Sequence, residues 1–245
     1  MKMTISGPIP TEALRDLPTP ELGILLLESL AAGNPDIQFQ SILASGKMAW
    51  KDEPDATRLL ERLADAWSWL ESRALIGVSS SQREPFRRIT SEGRRLAADP
   101  NALQKLEAAE RLAGPLHPAL QGSVRTNFHL GEYELACFAA MKAVEVAVRD
   151  ASGLDNSTIG VNLMRAAFRA HAQNGKAGGP LADHEAEGGE QDAMANLFAG
   201  AIGAFKNPPS HRTVHFDSPT EAASIIQLAD LLLRLVERAQ KRASL

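Results

Sequence analysis

Cysteine is nearly absent: Cys137 is the single one in 245 residues, which excludes an internal disulfide and any multi-cysteine zinc or iron–sulfur centre. Aromatic residues make up only 5% of the chain, with one tyrosine, so a broad base-stacking platform for single strands is excluded as well. The longest apolar run, Leu135 to Met141, is seven residues. A membrane-spanning helix needs roughly 20. The first ten residues hold one lysine and two prolines but no apolar stretch, which argues against a secretory signal and makes the cytoplasm the expected location. No strong charge of one sign is present: 26 Lys and Arg against 30 Asp and Glu leave a net −4, so any contact with nucleic acid must be local. A Gly-rich phosphate loop, paired glycosidase carboxylates and a Gly-x-Ser-x-Gly elbow are also missing. The chain does have a 44% hydrophobic content, enough to bury the core of one large or two modest domains.

Residues 1–19 carry prolines and little periodicity and read as an extended leader. From Pro20 the residues Leu22, Leu25, Leu26 and Leu30 recur at helical spacing, with Thr19 as expected N-cap and Gly33-Asn34-Pro35 as the stop. A weaker helical run is expected over 36–45 and a loop from Gly46 to Pro54. Beyond Asp55 the positions Leu59, Leu60, Leu63, Ala66, Trp67 and Leu70 form one apolar stripe and predict a long amphipathic helix. The period then shifts. Leu75-Ile76-Gly77-Val78 and Phe86-Arg87-Arg88-Ile89-Thr90, joined by a polar turn, predict a two-stranded hairpin, and a further helical turn or two follows to Leu96.

Three helices and a hairpin are the order of a winged helix, and the passage from Trp69 through Ile76 into a basic hairpin resembles that fold over residues 20–98. Five arginines and two glutamates between Arg83 and Arg95 give a local +3 inside a segment, residues 1–98, of net −1. Arg83, Arg87 and Arg88 are therefore candidates for phosphate contact with duplex nucleic acid. The alternative is a solvated hairpin face on a protein-interaction module, which the acidic balance of the segment favours.

Residues 99–114 are charged and alanine-rich and read as a linker or helical connector. Beyond them the pattern is helical throughout. Helices are expected over His117–Leu130, ended by Gly131; over Glu132–Ser152, ended by Gly153; over about Gly160–Ala170; over Glu190–Phe205; and from the capping box Ser218-Pro219-Thr220-Glu221 to about Arg242. Gln173 to Gly189 holds five glycines and reads as a mobile or functional loop. The expected fold is thus mainly α: a winged helix of three helices plus a β-hairpin wing, then a bundle of four to five helices over 115–245.

Chemistry concentrates at Lys206-Asn207-Pro208-Pro209-Ser210-His211, where a cation and an imidazole flank a proline-stiffened turn. Metal-independent RNA cleavage needs little more, because the 2′-hydroxyl is the nucleophile, an imidazole moves protons and a cation neutralises the transition state. Lys142, Glu145 and Arg149, spaced i, i+3 and i+7, share one side of a helix and either line the same cleft or form a salt-bridged surface. His171, His184 and Glu185 sit in the glycine-rich segment without the rigid spacing a metal site requires, and no metal or cofactor is expected. Cys137, in an apolar run, reads as a packing residue. His117 reads as a helix-start residue and His129 as a helix-end cation.

Several segments together resemble one family: Leu116-His117-Pro118, Gly131-Glu132-Tyr133, Ala140-Met141-Lys142-Ala143-Val144-Glu145 to Arg149, Asn162-Leu163-Met164, Phe198-Ala199-Gly200-Ala201 and Asn207-Pro208 to His211. In this order, between Pro115 and Ala239, they resemble the Ymh-type family within the HEPN superfamily. The resemblance implies a helical bundle, a homodimer and an RNA partner. It also implies metal-independent ribonuclease activity in toxin–antitoxin or phage-defence systems, marked by an Arg, a polar residue and a following His. Asn207 fits the polar slot and His211 the His slot, with Lys206 standing where the motif has Arg. Lysine keeps the charge but not the planar fork that holds phosphate at two points. The resemblance therefore leaves open a non-catalytic nucleotide-, RNA- or DNA-binding regulator.

Overall fold

The computed structural model describes residues 9–33, 36–79, 85–170, 178–207 and 218–243. These belong to two compact units, Met1–Leu103 and Gln104–Leu245. The architecture is mainly helical with one small sheet.

The first unit runs α1 (Thr11–Asp16), α2 (Thr19–Ala31), β1 (Asp36–Gln38), α3 (Phe39–Ala49), α4 (Ala56–Ser72), β2 (Ile76–Val78), β3 (Phe86–Ile89) and α5 (Ser91–Ala97). Its spine is α4, whose Leu59, Leu63, Ala66, Trp67 and Leu70 recur at helical spacing and are all buried, as the apolar stripe predicts. Against it lies α2. Gly23 is needed at this crossing, because a Cβ there would lie 2.3 Å from the Trp69 ring.

Four expectations are corrected in this unit. The leader is in part a helix: α1 buries Leu14, Arg15 binds Glu53 at 2.6 Å and Asp55 at 2.8 Å, and Arg62 donates to the carbonyls of Leu14 and Leu17. These partners lie about 40 residues away in sequence, beyond the reach of any local pattern. Residues 36–38 form a third strand rather than helix, so the order is β1-β3-β2 with all pairs antiparallel. Helix α3 then continues through Gly46, expected in a loop, and a Cβ on that glycine would meet the Trp50 ring at 2.8 Å and Leu60 at 3.1 Å. Thr19 is the first residue of α2 rather than its cap, with Pro18 preceding it and no side-chain cap bond.

The second unit contains α6 (Ala102–Arg111) from Gln104 onward, a 3₁₀ turn (Pro118–Leu120), α7 (Ser123–His129), α8 (Tyr133–Ser152), α9 (Gly160–Ala167), α10 (Gly188–Ala201), a π-helical turn (Ile202–Lys206) and α11 (Pro219–Ala243). Its core centres on α8, where Met141, Val144 and Val148 pack with Leu163, Met164, Phe198, Ile226, Leu232 and Leu233. Gly153, at φ +64°, ends α8 in the left-handed conformation that glycine adopts without strain. Ser218 Oγ accepts the Glu221 N–H at 3.3 Å and opens α11.

The helix expected over His117–Leu130 is divided. His117 Nδ1 accepts the Ala119 N–H at 3.2 Å to cap the 3₁₀ turn, its Nε2 meets Glu237 of α11 at 3.0 Å, and α7 starts afresh at Ser123. The glycine-rich segment is also tied down where it is described. The Gly179 N–H donates to the Arg169 carbonyl at 2.7 Å, the Leu181 N–H to the Ala167 carbonyl at 2.8 Å, and the Leu181 side chain is buried. His171 lies outside the described residues.

Two glycines test this packing in opposite directions. A Cβ on Gly93, in α5, would meet the Leu75 carbonyl oxygen at 2.2 Å, so steric cost outweighs any gain in helix propensity. Gly200, in α10, has open space around its would-be Cβ. In chemical denaturation, Gly93→Ala is expected to lose about 1–3 kcal/mol, and Gly200→Ala to gain about 0.5–1 kcal/mol.

Candidate functional site

Helix α8 places Glu145 on its buried face, next to Val144 and one turn from Met141 and Val148. Only 6% of the residue is exposed, and a carboxylate so placed requires partners. It has three, from three directions. Oε1 accepts the Gly160 N–H at 2.9 Å, at the start of α9, and the Arg149 Nη2 at 3.2 Å, one turn along α8. Oε2 meets Lys206 Nζ at 3.2 Å. Arg149 Nη1 in turn donates to the Thr158 carbonyl at 3.0 Å, bracing the α8–α9 connection.

Lys206 reaches this point through the π-helical turn, in which the Asn207 N–H bonds back five residues to the Ile202 carbonyl. An α-helical continuation would carry the side chain about 100° round the axis. The amide of Asn207 lies beside Gly160, whose would-be Cβ would be 3.6 Å from Asn207 Oδ1. Gly160 is itself in the left-handed region, at φ +57°, and from there its N–H reaches Glu145.

Burial by itself would push the Glu145 carboxyl up. The Gly160 N–H and the Lys206 ammonium outweigh it, with help from Arg149, and hold the group below the usual glutamate range. One carboxylate thus faces two cations, and a second, Asp155, lies within electrostatic range of Arg149.

Lys206, Glu145 and Arg149 therefore meet, with Asn207 alongside. Lys142 is exposed on α8 and engages none of them. His211 lies outside the described residues. Gly160 and the Thr158 carbonyl belong to the cluster through their backbone, and nothing in the side-chain pattern marks them. In the first unit Arg83 lies outside the described residues, and Arg87, paired across the sheet with Ile37 and Val78, binds Glu71 of α4 at 2.8 Å. Arg88 is half-buried on the next strand position, while Arg94 donates to the Ile89 carbonyl and Arg95 to Glu92. A surface hollow of about 320 Å³ lined by Glu132, Glu134, Leu135 and Phe138 lies at the opposite end of α8 from Arg149. Cys137 is buried, and burial pushes its thiol up to about 12, so it packs rather than reacts.

Glu145 contributes stability that is present above the ordinary glutamate range and lost as pH falls through its depressed folded value. Glu145→Gln should lower stability at neutral pH by about 1–3 kcal/mol, because two partly buried cations lose their counter-charge and its hydrogen bonds. It should also flatten the acid limb of the stability–pH profile, read by urea denaturation from neutral pH to below the usual glutamate range. An acid limb as steep as in the unsubstituted chain would show that Glu145 does not control it.

Among family models, the one described as "Protein of unknown function (Hypoth_ymh)" matches residues 114–236. No curated protein and no solved structure matches the chain. The family match takes in half the chain, including Glu145, Arg149, Gly160, Lys206 and Asn207, and the protein belongs to the Ymh family.

Proposed function

We propose that the C-terminal unit is a HEPN-type bundle that binds RNA and cleaves it without a metal, in a defence or toxin-type system. In this reading His211 moves the proton between the 2′-hydroxyl and the leaving oxygen, and Lys206, with Asn207, offsets charge on the phosphorane-like transition state. The observation that carries it is the Lys206–Glu145 pair at 3.2 Å, which fixes the cation of the motif to a buried point of the bundle. A positioned cation costs little reorganisation when charge develops on a substrate. Two copies of the chain would form the working homodimer.

The order α2-β1-α3-α4-β2-β3 with a β1-β3-β2 sheet supports reading the N-terminal unit as a winged helix. We read it as the recognition module, with α4 as its presented helix. The exposed positions of α4 include Arg58 but also Glu61 and Asp65, and Arg87 is engaged by Glu71, which favours a protein partner over duplex DNA.

A second reading keeps the binding and drops the chemistry. Lys206 stands where the superfamily motif has arginine and is already engaged by Glu145, so a bundle that binds RNA or a nucleotide as a regulator also accounts for the cluster.

Incubating the purified full chain with mixed RNAs in EDTA distinguishes the two. The nuclease reading expects fragments with 2′,3′-cyclic phosphate ends and a rate lowered about 10²- to 10⁴-fold in His211→Ala. Equal cleavage by both proteins, or none by either, overturns it. RNA retained on the protein without decay supports the second reading.

A further inference from the structure

We infer that Arg149, from α8, supplies the two-point phosphate contact that Lys206 cannot make. This rests on the proposal that the C-terminal unit engages RNA. An ammonium acts as a point charge, whereas a guanidinium offers parallel N–H groups that match two phosphate oxygens. The chain lacks that fork at position 206, but it places a guanidinium beside it in space. Arg149 and Lys206 bind the two oxygens of the same carboxylate, Arg149 Nη2 on Glu145 Oε1 and Lys206 Nζ on Glu145 Oε2, each at 3.2 Å.

Among the described residues the side-chain hydrogen bonds of Arg149 are one from Nη1 to the Thr158 carbonyl at 3.0 Å and one from Nη2 to Glu145, with Asp155 in electrostatic range. A guanidinium carries five N–H groups, so among the described residues the Nε–H and one N–H on each terminal nitrogen make no further bond. The side chain is 19% exposed, so part of it reaches the surface, and its two existing bonds fix the plane of the group before any ligand arrives. Glu145 lies between the two cations and reduces the repulsion between them, and Asp155, within electrostatic range of Arg149, leaves the guanidinium's remaining N–H groups as the feature a phosphodiester would meet.

An arginine that only braces the connection between α8 and α9 would make the same two bonds, and an exchange of residues separates the two roles. Arg149→Lys with Lys206→Arg returns one guanidinium and one ammonium to the same carboxylate with their positions swapped. The probe is a fluorescein-labelled single-stranded RNA, read by anisotropy in EDTA with the full chain carrying His211→Ala to prevent cutting.

Arg149→Lys is expected to weaken binding about tenfold. The exchanged pair should recover to within about twofold of the starting protein, with thermal unfolding followed alongside as the control for folding. Lys206→Arg by itself, which leaves Arg149 in place, should change affinity less than about twofold, because the fork is already present. Unchanged binding in Arg149→Lys overturns the inference, as does a loss that the exchange does not recover. A tenfold gain in Lys206→Arg also overturns it, and that variant gives an answer even if Arg149→Lys fails to fold. A starting protein that binds no RNA overturns the proposed function and this inference with it, whereas RNA binding indifferent to Arg149 overturns the inference alone.

Discussion

A carboxylate on the buried face of α8 is the constraint on which the arrangement of the second unit depends. Glu145 sits where α8 otherwise presents Met141, Val144 and Val148 to the core, and taking its charge out of water costs several kcal/mol. The cost is offset only when the start of α9, the next turn of α8 and the π-helical turn after α10 each bring a donor to it. The ends of three elements are thus held to a common point. The side chains that could engage a phosphate, Lys206 and Arg149, are oriented by this local requirement rather than by a loop.

The apolar core supports that point from beneath. Phe168, just after α9, stacks on Phe198 of α10 with ring centroids 4.2 Å apart, and Ile202, at the start of the π turn, is fully buried. These contacts hold α9 and α10 together beneath the polar cluster. At the other side of the bundle Asp230 of α11 is also buried in part, yet Arg234 and the His117 N–H keep its carboxyl below the usual aspartate range. The second unit uses the same device twice: an acidic side chain at a helix surface gathers donors from separate elements, and the elements are registered by it.

The first unit shows the same use of charge with a different outcome. Arg15, Arg62, Arg87 and Arg94 all spend donors within the unit, on carboxylates or on backbone carbonyls. Ion pairs of this exposed or half-exposed kind contribute little stability each. The Arg87–Glu71 pair does lower the positive charge the hairpin presents, so the local excess of arginine between positions 83 and 95 is smaller as a surface feature than as a sequence count.

The sequence by itself determined the helical character of the chain, the long α4 with its apolar stripe, the β2–β3 hairpin, the glycine stop after α8 and the capped start of α11. Each is written in residues close together, through periodicity, capping or a left-handed glycine. It also marked Lys206, Glu145 and Arg149 as candidates. Tertiary structure alone decided the strand at 36–38, the docked helix at 11–16 and the burial of Leu181, because their partners are tens of residues away or on another element. The same holds for the site. Whether the i, i+3, i+7 stripe on α8 was a solvated surface or a cluster around one carboxylate depended on a π turn and on a backbone N–H at Gly160, and neither leaves a trace in the spacing of side chains.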